Sequence, residues 1–194
     1  MNPLRILFTG VGGQGTLTAS SLLAQAALIE GKEAILSEVH GMAQRGGVVE
    51  STVMLGGLKS PLISQGEADI LVSFEPLEAI RALNKCHSDA TIITNITPIV
   101  PFTVELGGPS YPDVEKNIEK MRTVFKNVIA INADDLAKEA GTQRAVNVVL
   151  LGVLLGTGLV PISPDSMKAT IQQRVKPKFI EANLKAFELG FSAV

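Results

Sequence analysis

The feature that most constrains this chain is a glycine-rich turn near its start. Leu4 to Thr9 is a short apolar run, and Gly10-Val11-Gly12-Gly13-Gln14-Gly15 follows it directly. Thr16 to Glu30 then carries a helical period, with Leu17, Leu22, Leu23, Ala26, Ala27 and Ile29 forming one apolar stripe and Gly31 as terminator. A short apolar run bounded by glycines reads as a buried strand. Ala34 to Val39 reads as a second strand, so the three pieces make a βαβ unit that opens a doubly wound sheet.

The turn fits G-x-G-x-x-G between a strand and a helix. Such glycines permit a tight turn and let backbone N–H groups approach an anion, aided by the partial positive charge of the helix N-terminus. It is not a phosphate loop of the lysine type, because Thr16 stands where the lysine belongs. Three readings stay open on the motif alone. Gly10, Gly12 and Gly15 with Glu38 at the end of the second strand match a dinucleotide (NAD or FAD) module. The turn can instead contact another anion or ligand, or be purely structural.

The pattern then leaves plain α/β alternation. His40 to Gly47 is a polar, glycine-containing loop, and Val48 to Leu55 alternates as a strand with one partly wet face. Two strands joined by a loop form a hairpin-like insertion and predict a mixed sheet. Further strands are expected at Ala68 to Phe74, Thr91 to Ile96 and Val128 to Asn132. Helices are expected at Pro76 to Asn84, Asp113 to Phe125 and Asp134 to Ala140. Pro164 to Leu189 reads as two amphipathic helices divided near Lys176-Pro177. Val146 to Leu155 is apolar nearly all round, and such a helix must be covered on every side. The cover is either its own domain or another subunit. The segment is too short to span a membrane.

Composition limits the chemistry. The 194 residues carry 17 basic and 19 acidic side chains, and 4% are aromatic. With no basic excess and few stacking platforms, nucleic acid is not an expected partner. Cys86 is the one cysteine, and His40 and His87 are the two histidines. One thiol makes no internal disulfide, CxxC pair or iron–sulfur ligand set, so Cys86 reads as a small, half-buried side chain. The N-terminal segment lacks a signal-peptide pattern, which makes the cytoplasm the expected location.

Two further segments could carry function. His40-Gly41-Met42-Ala43-Gln44-Arg45-Gly46-Gly47 leaves the carboxyl end of a strand beside the glycine turn, where open α/β sheets place ligands. Arg45 offers a planar fork for a carboxylate or phosphate; the plainer alternative is a surface arginine in a loop. His40 is a candidate acid–base group or an ordinary satisfied side chain. Glu75-Pro76-Leu77-Glu78 joins a strand to a helix, and carboxylates there stabilise a helix start in their own right.

Taken in order, the Gly10–Gly15 turn, Ser37 to Gly47 and Ala68 to Ala79 resemble the gamma-type domain of 2-oxoacid:ferredoxin oxidoreductases. Arg45-Gly46-Gly47 is shared with the pyruvate and 2-oxoglutarate branches, and His40 to Gln44 points to the indolepyruvate branch. The resemblance runs from about Leu4 to about Lys185. It implies one gamma-type domain over residues 1–194, a Rossmann-like three-layer sandwich with a mostly parallel, mixed sheet, and no bound dinucleotide. It also implies a small subunit, inactive alone, of an enzyme that converts a 2-oxoacid and coenzyme A to acyl-CoA, carbon dioxide and reduced ferredoxin. Thiamine diphosphate, magnesium and [4Fe-4S] clusters are then expected in the assembled enzyme, none of them bound by this chain alone. The expected partners are the catalytic subunit or subunits and, through the complex, ferredoxin. A homodimer is expected for the isolated chain. Gly10, Gly12, Gly13, Gln14, Gly15, Gln44, Arg45, Gly46 and Gly47 become candidate ligand or subunit contacts, with Arg45 and His40 nearest to catalysis.

Overall fold

The computed structural model describes residues 2–40, 47–101, 104, 106–108 and 110–194. The elements in chain order are β1 (Leu4–Val11), α1 (Thr16–Ile29), β2 (Ala34–His40), β3 (Val48–Leu55), β4 (Ala68–Ser73), α2 (Pro76–Ala82), β5 (Cys86–Asn95), α3 (Val114–Val124), β6 (Asn127–Ile131), α4 (Ala133–Glu139), α5 (Val146–Gly156), α6 (Pro164–Arg174) and α7 (Ile180–Phe191). The strands form one six-stranded sheet in the order β2-β3-β1-β4-β5-β6. β3 runs antiparallel to both neighbours, while β1, β4, β5 and β6 pair in parallel. This is the mixed α/β sheet expected from the β2–β3 hairpin.

Period-two alternation sends neighbouring side chains of each strand to opposite faces. Ile6 and Phe8 of β1, Val53 and Leu55 of β3, and Ile70 and Val72 of β4 face a large cluster with α1, α4, α5, α6 and α7. Leu7, Leu71 and Ile92 face a smaller cluster with α2 and α3. The result is three layers with unequal helical covers. β5 begins at Cys86, earlier than the apolar run at Thr91 suggests, and its first residues are partly exposed. Cys86 itself is buried. Among the described residues no helix is long and apolar enough to cross a membrane.

α5 settles the question its sequence left open. Asn147 to Leu155 are all buried, so the cover comes from within this chain. α7 lies against it at close range through glycine on both sides. A Cβ built on Gly152 would stand 2.2 Å from the Phe187 carbonyl oxygen, and one on Gly190 would stand 2.0 Å from that of Val149. The two backbones therefore touch without intervening side chains. Leu150, Leu151 and Leu154 are fully inaccessible; each contributes roughly 1.5–3 kcal/mol by leaving water. The apolar helix consequently gives no argument for a covering subunit.

A second contact ties the two helices on the larger face. Glu30, which ends α1, pairs with Lys32. Its Oε1 accepts from Ser163 N at 2.8 Å and Ser163 Oγ at 2.7 Å, and Ser163 caps α6. Lys32 foremost, with Ser163 and Ser166 adding to it, holds the Glu30 carboxyl down at about 2 against the opposing effect of burial.

Two outcomes follow. Gly152→Ala and Gly190→Ala each force the α5 and α7 backbones apart, costing roughly 1–3 kcal/mol as overpacking, or about 2–4 °C of Tm per kcal/mol in a chain of this size; thermal melts check this. Glu30 has its folded value below its unfolded value, so its stabilisation is complete above the unfolded value of 4.5 and fades as pH falls towards 2. Glu30→Gln should lower Tm at pH 7, and the gap from the parent should close on acidification through that window.

Candidate functional site

The connections after β1 and β4 diverge. α1 packs on one face of the sheet and α2 on the other. Adjacent parallel strands whose connections part in this way open a crevice at their carboxyl ends. The glycine turn, the start of α2 and the ends of β4 and β5 meet there.

The turn is closed chiefly by its own glutamine. Gln14 Oε1 accepts from Val11 N at 2.7 Å, and Nε2 donates to the Phe74 carbonyl at 2.9 Å. One carboxamide thus fastens the turn to itself and to the end of β4. Gly10 is required by contact: a Cβ there would stand 2.9 Å from Gln14 Oε1, Phe74 Cβ and Thr16 Oγ1. Gly13 and Gly15 adopt φ of 101° and 83°, the left-handed region that disfavours side chains. Gly12 N donates to the Gly47 carbonyl at 2.9 Å. That bond brings Gly47, the residue that enters β3, onto the glycine turn. The His40 side chain, Gln44, Arg45 and Gly46 lie outside the described residues.

Glu75 is buried and organises the other wall. Its Oε2 accepts from Leu77 N at 2.7 Å and Glu78 N at 3.0 Å, capping α2. Its Oε1 accepts from Ile99 N and from the Tyr111 hydroxyl, anchoring the connection between β5 and α3. Burial, and then Glu75 itself, push the Tyr111 hydroxyl to a higher pKa. Glu78 Oε1 accepts from Arg81 at 2.6 Å, and its Oε2 is buried without a hydrogen-bond partner among the described residues. Burial raises the Glu78 pKa, with Arg81 opposing. The Glu-Pro-Leu-Glu run is therefore a helix start, the plain reading of its carboxylates.

Sequence reasoning passed over the asparagines. Asn95, ending β5, donates to the Phe74 carbonyl at 3.2 Å and to Asp134 at 2.8 Å, and accepts from Ala133 N at 3.1 Å. It joins the ends of β4 and β5 to the start of α4. Its signal was a polar residue closing an apolar strand at the sheet's carboxyl edge. Asn147, on α5, packs its amide over Gly15. With Gln14, Asn95, Asp134 and Arg144 it lines a cleft of about 440 Å³.

Among the described residues the side chains do not suit a cluster or a bound metal. The Cys86 thiol is buried and pushed up to about 12 by desolvation, far from the thiolate that a cluster needs. Among the described residues no group of three His, Cys, Asp or Glu side chains gathers.

Residues 5–193 match the family model described as pyruvate ferredoxin/flavodoxin oxidoreductase. The chain belongs to that family. It is 39% identical to indolepyruvate oxidoreductase subunit IorB of Archaeoglobus fulgidus, over 97% of this chain and 94% of the relative. It is 40% identical to the subunit of the same name from Pyrococcus horikoshii, over 100% and 96%. Its fold matches the gamma subunit of a keto/oxoacid ferredoxin oxidoreductase from Geobacter sulfurreducens with TM-score 0.72 and 25% identity, over 98% of this chain and 97% of that one. Within the pyruvate ferredoxin/flavodoxin oxidoreductase family the chain is a small subunit. The dinucleotide module is not supported, and topology explains why Glu38 misled. β3 stands between β1 and β2. Strands are about 4.8 Å apart, so the end of β2 lies roughly one strand further from the turn than a ribose-binding carboxylate requires.

Gln14→Ala should leave the Val11 N–H without its acceptor and lose a tie to the Phe74 carbonyl. A drop of roughly 1–3 kcal/mol in unfolding free energy is expected. Denaturant titration with an unchanged m-value checks it.

Proposed function

We propose that this chain is the cluster-free small subunit of a cytoplasmic, coenzyme A-dependent 2-oxoacid:ferredoxin oxidoreductase that prefers aromatic 2-oxoacids of the indolepyruvate type. The whole chain, residues 1–194, acts as one gamma-type domain. The end-to-end match to two indolepyruvate oxidoreductase subunits carries this reading. The overall reaction takes a 2-oxoacid anion, coenzyme A and two oxidised ferredoxins to acyl-CoA, carbon dioxide, two reduced ferredoxins and a proton. In this reading thiamine diphosphate, Mg²⁺ and [4Fe-4S] clusters belong to the catalytic partner, and the single, buried Cys86 of this chain cannot ligate a cluster. Thiamine diphosphate supplies the electron sink for decarboxylation in such an enzyme.

This chain's own part is contact and positioning. The loop bearing His40, Gln44, Arg45, Gly46 and Gly47 returns to the glycine turn through Gly47. The proposal sets Arg45 at the shared active site, against the substrate carboxylate, a coenzyme A phosphate or an acidic side chain of the partner. All three accept a planar bidentate cation. Gly10, Gly12, Gly13, Gln14 and Gly15 form the turn that receives the Gly47 carbonyl, and the proposal gives them ligand or subunit contacts. For the isolated chain the proposal is a two-fold homodimer, the commonest symmetry, through a surface other than α5.

The test is coexpression with the catalytic subunit and an assay of ferredoxin reduction. The isolated chain should be colourless and inactive, and the complex should turn over indolepyruvate or phenylpyruvate faster than pyruvate. Arg45→Ala and Arg45→Lys should both lower the rate of the complex, consistent with about 2–5 kcal/mol for a lost buried charge contact. Unchanged rate, coenzyme A dependence and assembly in Arg45→Ala would make the loop merely structural. Stoichiometric iron on the isolated chain would overturn the subunit reading.

A further inference from the structure

The cleft beside the glycine turn continues into an apolar slot. Thr18, Arg144 and Asn147 line both the cleft of about 440 Å³ and a neighbouring hollow of about 190 Å³. The hollow is walled by Leu22, Val148, Val175 and Phe179. One groove therefore has a polar end and an apolar end, at a size typical of small-molecule sites.

The polar end has donors to spare. α1 starts at Gly15, which has no side chain to cap the first N–H groups, and its first turn has no acidic residue. Asn147 is only 7% exposed. Its Oδ1 accepts from Val148 N at 3.0 Å, and its Nδ2 donates to no acceptor among the described residues. That donor opens on the cleft, where an acceptor group of a ligand can replace water. Arg144 is brought to the same rim by the 3₁₀ turn Gln143–Ala145, whose start Thr142 Oγ1 caps. Arg144 is exposed, and among the described residues its guanidinium meets no carboxylate.

The donors and the apolar slot together select the ligand class. Asp134 lines the same cleft, held by Asn95 Nδ2. These two side chains sum to no net charge, so attraction for an anion comes from the N–H donors of Arg144 and the start of α1, and the apolar slot favours an anion with an apolar body over inorganic phosphate. A carboxylate accepts two parallel N–H bonds from an arginine fork. The slot beyond is apolar and carries the Phe179 ring.

We propose that this groove binds a small amphipathic carboxylate, an aryl or alkyl acid of single negative charge. The carboxylate sits against Arg144, Asn147 Nδ2 and the start of α1, and the apolar tail enters the slot under Phe179. The site lies within this chain and stands whether or not the 2-oxoacid reading holds.

Phenylacetate is the probe, titrated into the full-length chain and followed by amide NMR and calorimetry. Shifts should centre on Gly13, Gly15, Thr18 and Asn147. Neutral phenylacetamide, which keeps the ring, and acetate, which keeps the charge, should each bind at least about tenfold more weakly, a difference of about 1.4 kcal/mol. Arg144→Gln, at an exposed position, should keep the parent Tm and lose about tenfold in phenylacetate affinity. No saturable binding up to about 10 mM would overturn the proposal. So would tighter binding of inorganic phosphate than of phenylacetate, or an Arg144→Gln protein that binds phenylacetate as the parent does.

Discussion

The insertion of β3, antiparallel, between β1 and β2 is the constraint on which the site depends. In a plain βαβ unit the second parallel strand lies beside the first, and its carboxyl end serves the glycine turn. Here β3 takes that place, with Glu50 opposite Thr9 and Val48 opposite Val11. The loop entering β3 is thereby delivered onto the turn, where the Gly47 carbonyl receives Gly12 N. Ser51 Oγ, 2.7 Å from Ser20 Oγ, fixes the inserted strand to α1. The same insertion removes Glu38 from ligand distance and puts Gly47 beside the turn instead. A small topological change thus replaces the parallel neighbour of a nucleotide-type turn with an inserted antiparallel strand.

The turn can support that loop because its own hydrogen bonds are internal. Gln14 satisfies Val11 N and the Phe74 carbonyl together, and Asn95 adds a second donor to that same carbonyl. Buried backbone groups need partners, and here two carboxamides provide them without a bound ligand. The platform is preformed, which lowers the ordering cost of any contact made on it.

Most of the fold was legible because its signals are local. Period two marked β3, the apolar run marked β1, and Gly31, Pro76 and Pro164 punctuated the helices where their backbone preferences place them. The cover of α5 was not legible. Val146 to Leu155 shows that it must be buried, but the partner is set by Gly190, roughly forty residues on, whose missing Cβ admits the Val149 carbonyl. The glycine turn was found as a motif, yet its meaning turned on strand order, which no local pattern encodes. Asn95 and Asn147 escaped notice because an asparagine ending a strand or starting a helix is common, and only the tertiary meeting of β5, α4, α1 and α5 gives these two their roles.

The distribution of charge follows the same division. The carboxylates at the sheet's carboxyl edge are engaged within the chain: Glu75 caps α2 and holds Tyr111, and Asp134 accepts from Asn95. Acids engaged in this way are unsuited to proton transfer, because moving the proton would break the caps that shape the crevice. Arg144, by contrast, stands at the cleft rim without a carboxylate among the described residues. Buried Glu75 and half-buried Asp134 hold the walls, and Arg144, without an ion-pair partner among the described residues, lies at the opening. Such an arrangement suits recognition of an anion or of an acidic surface better than it suits bond breaking, and it agrees with a small subunit whose chemistry is supplied by its partners.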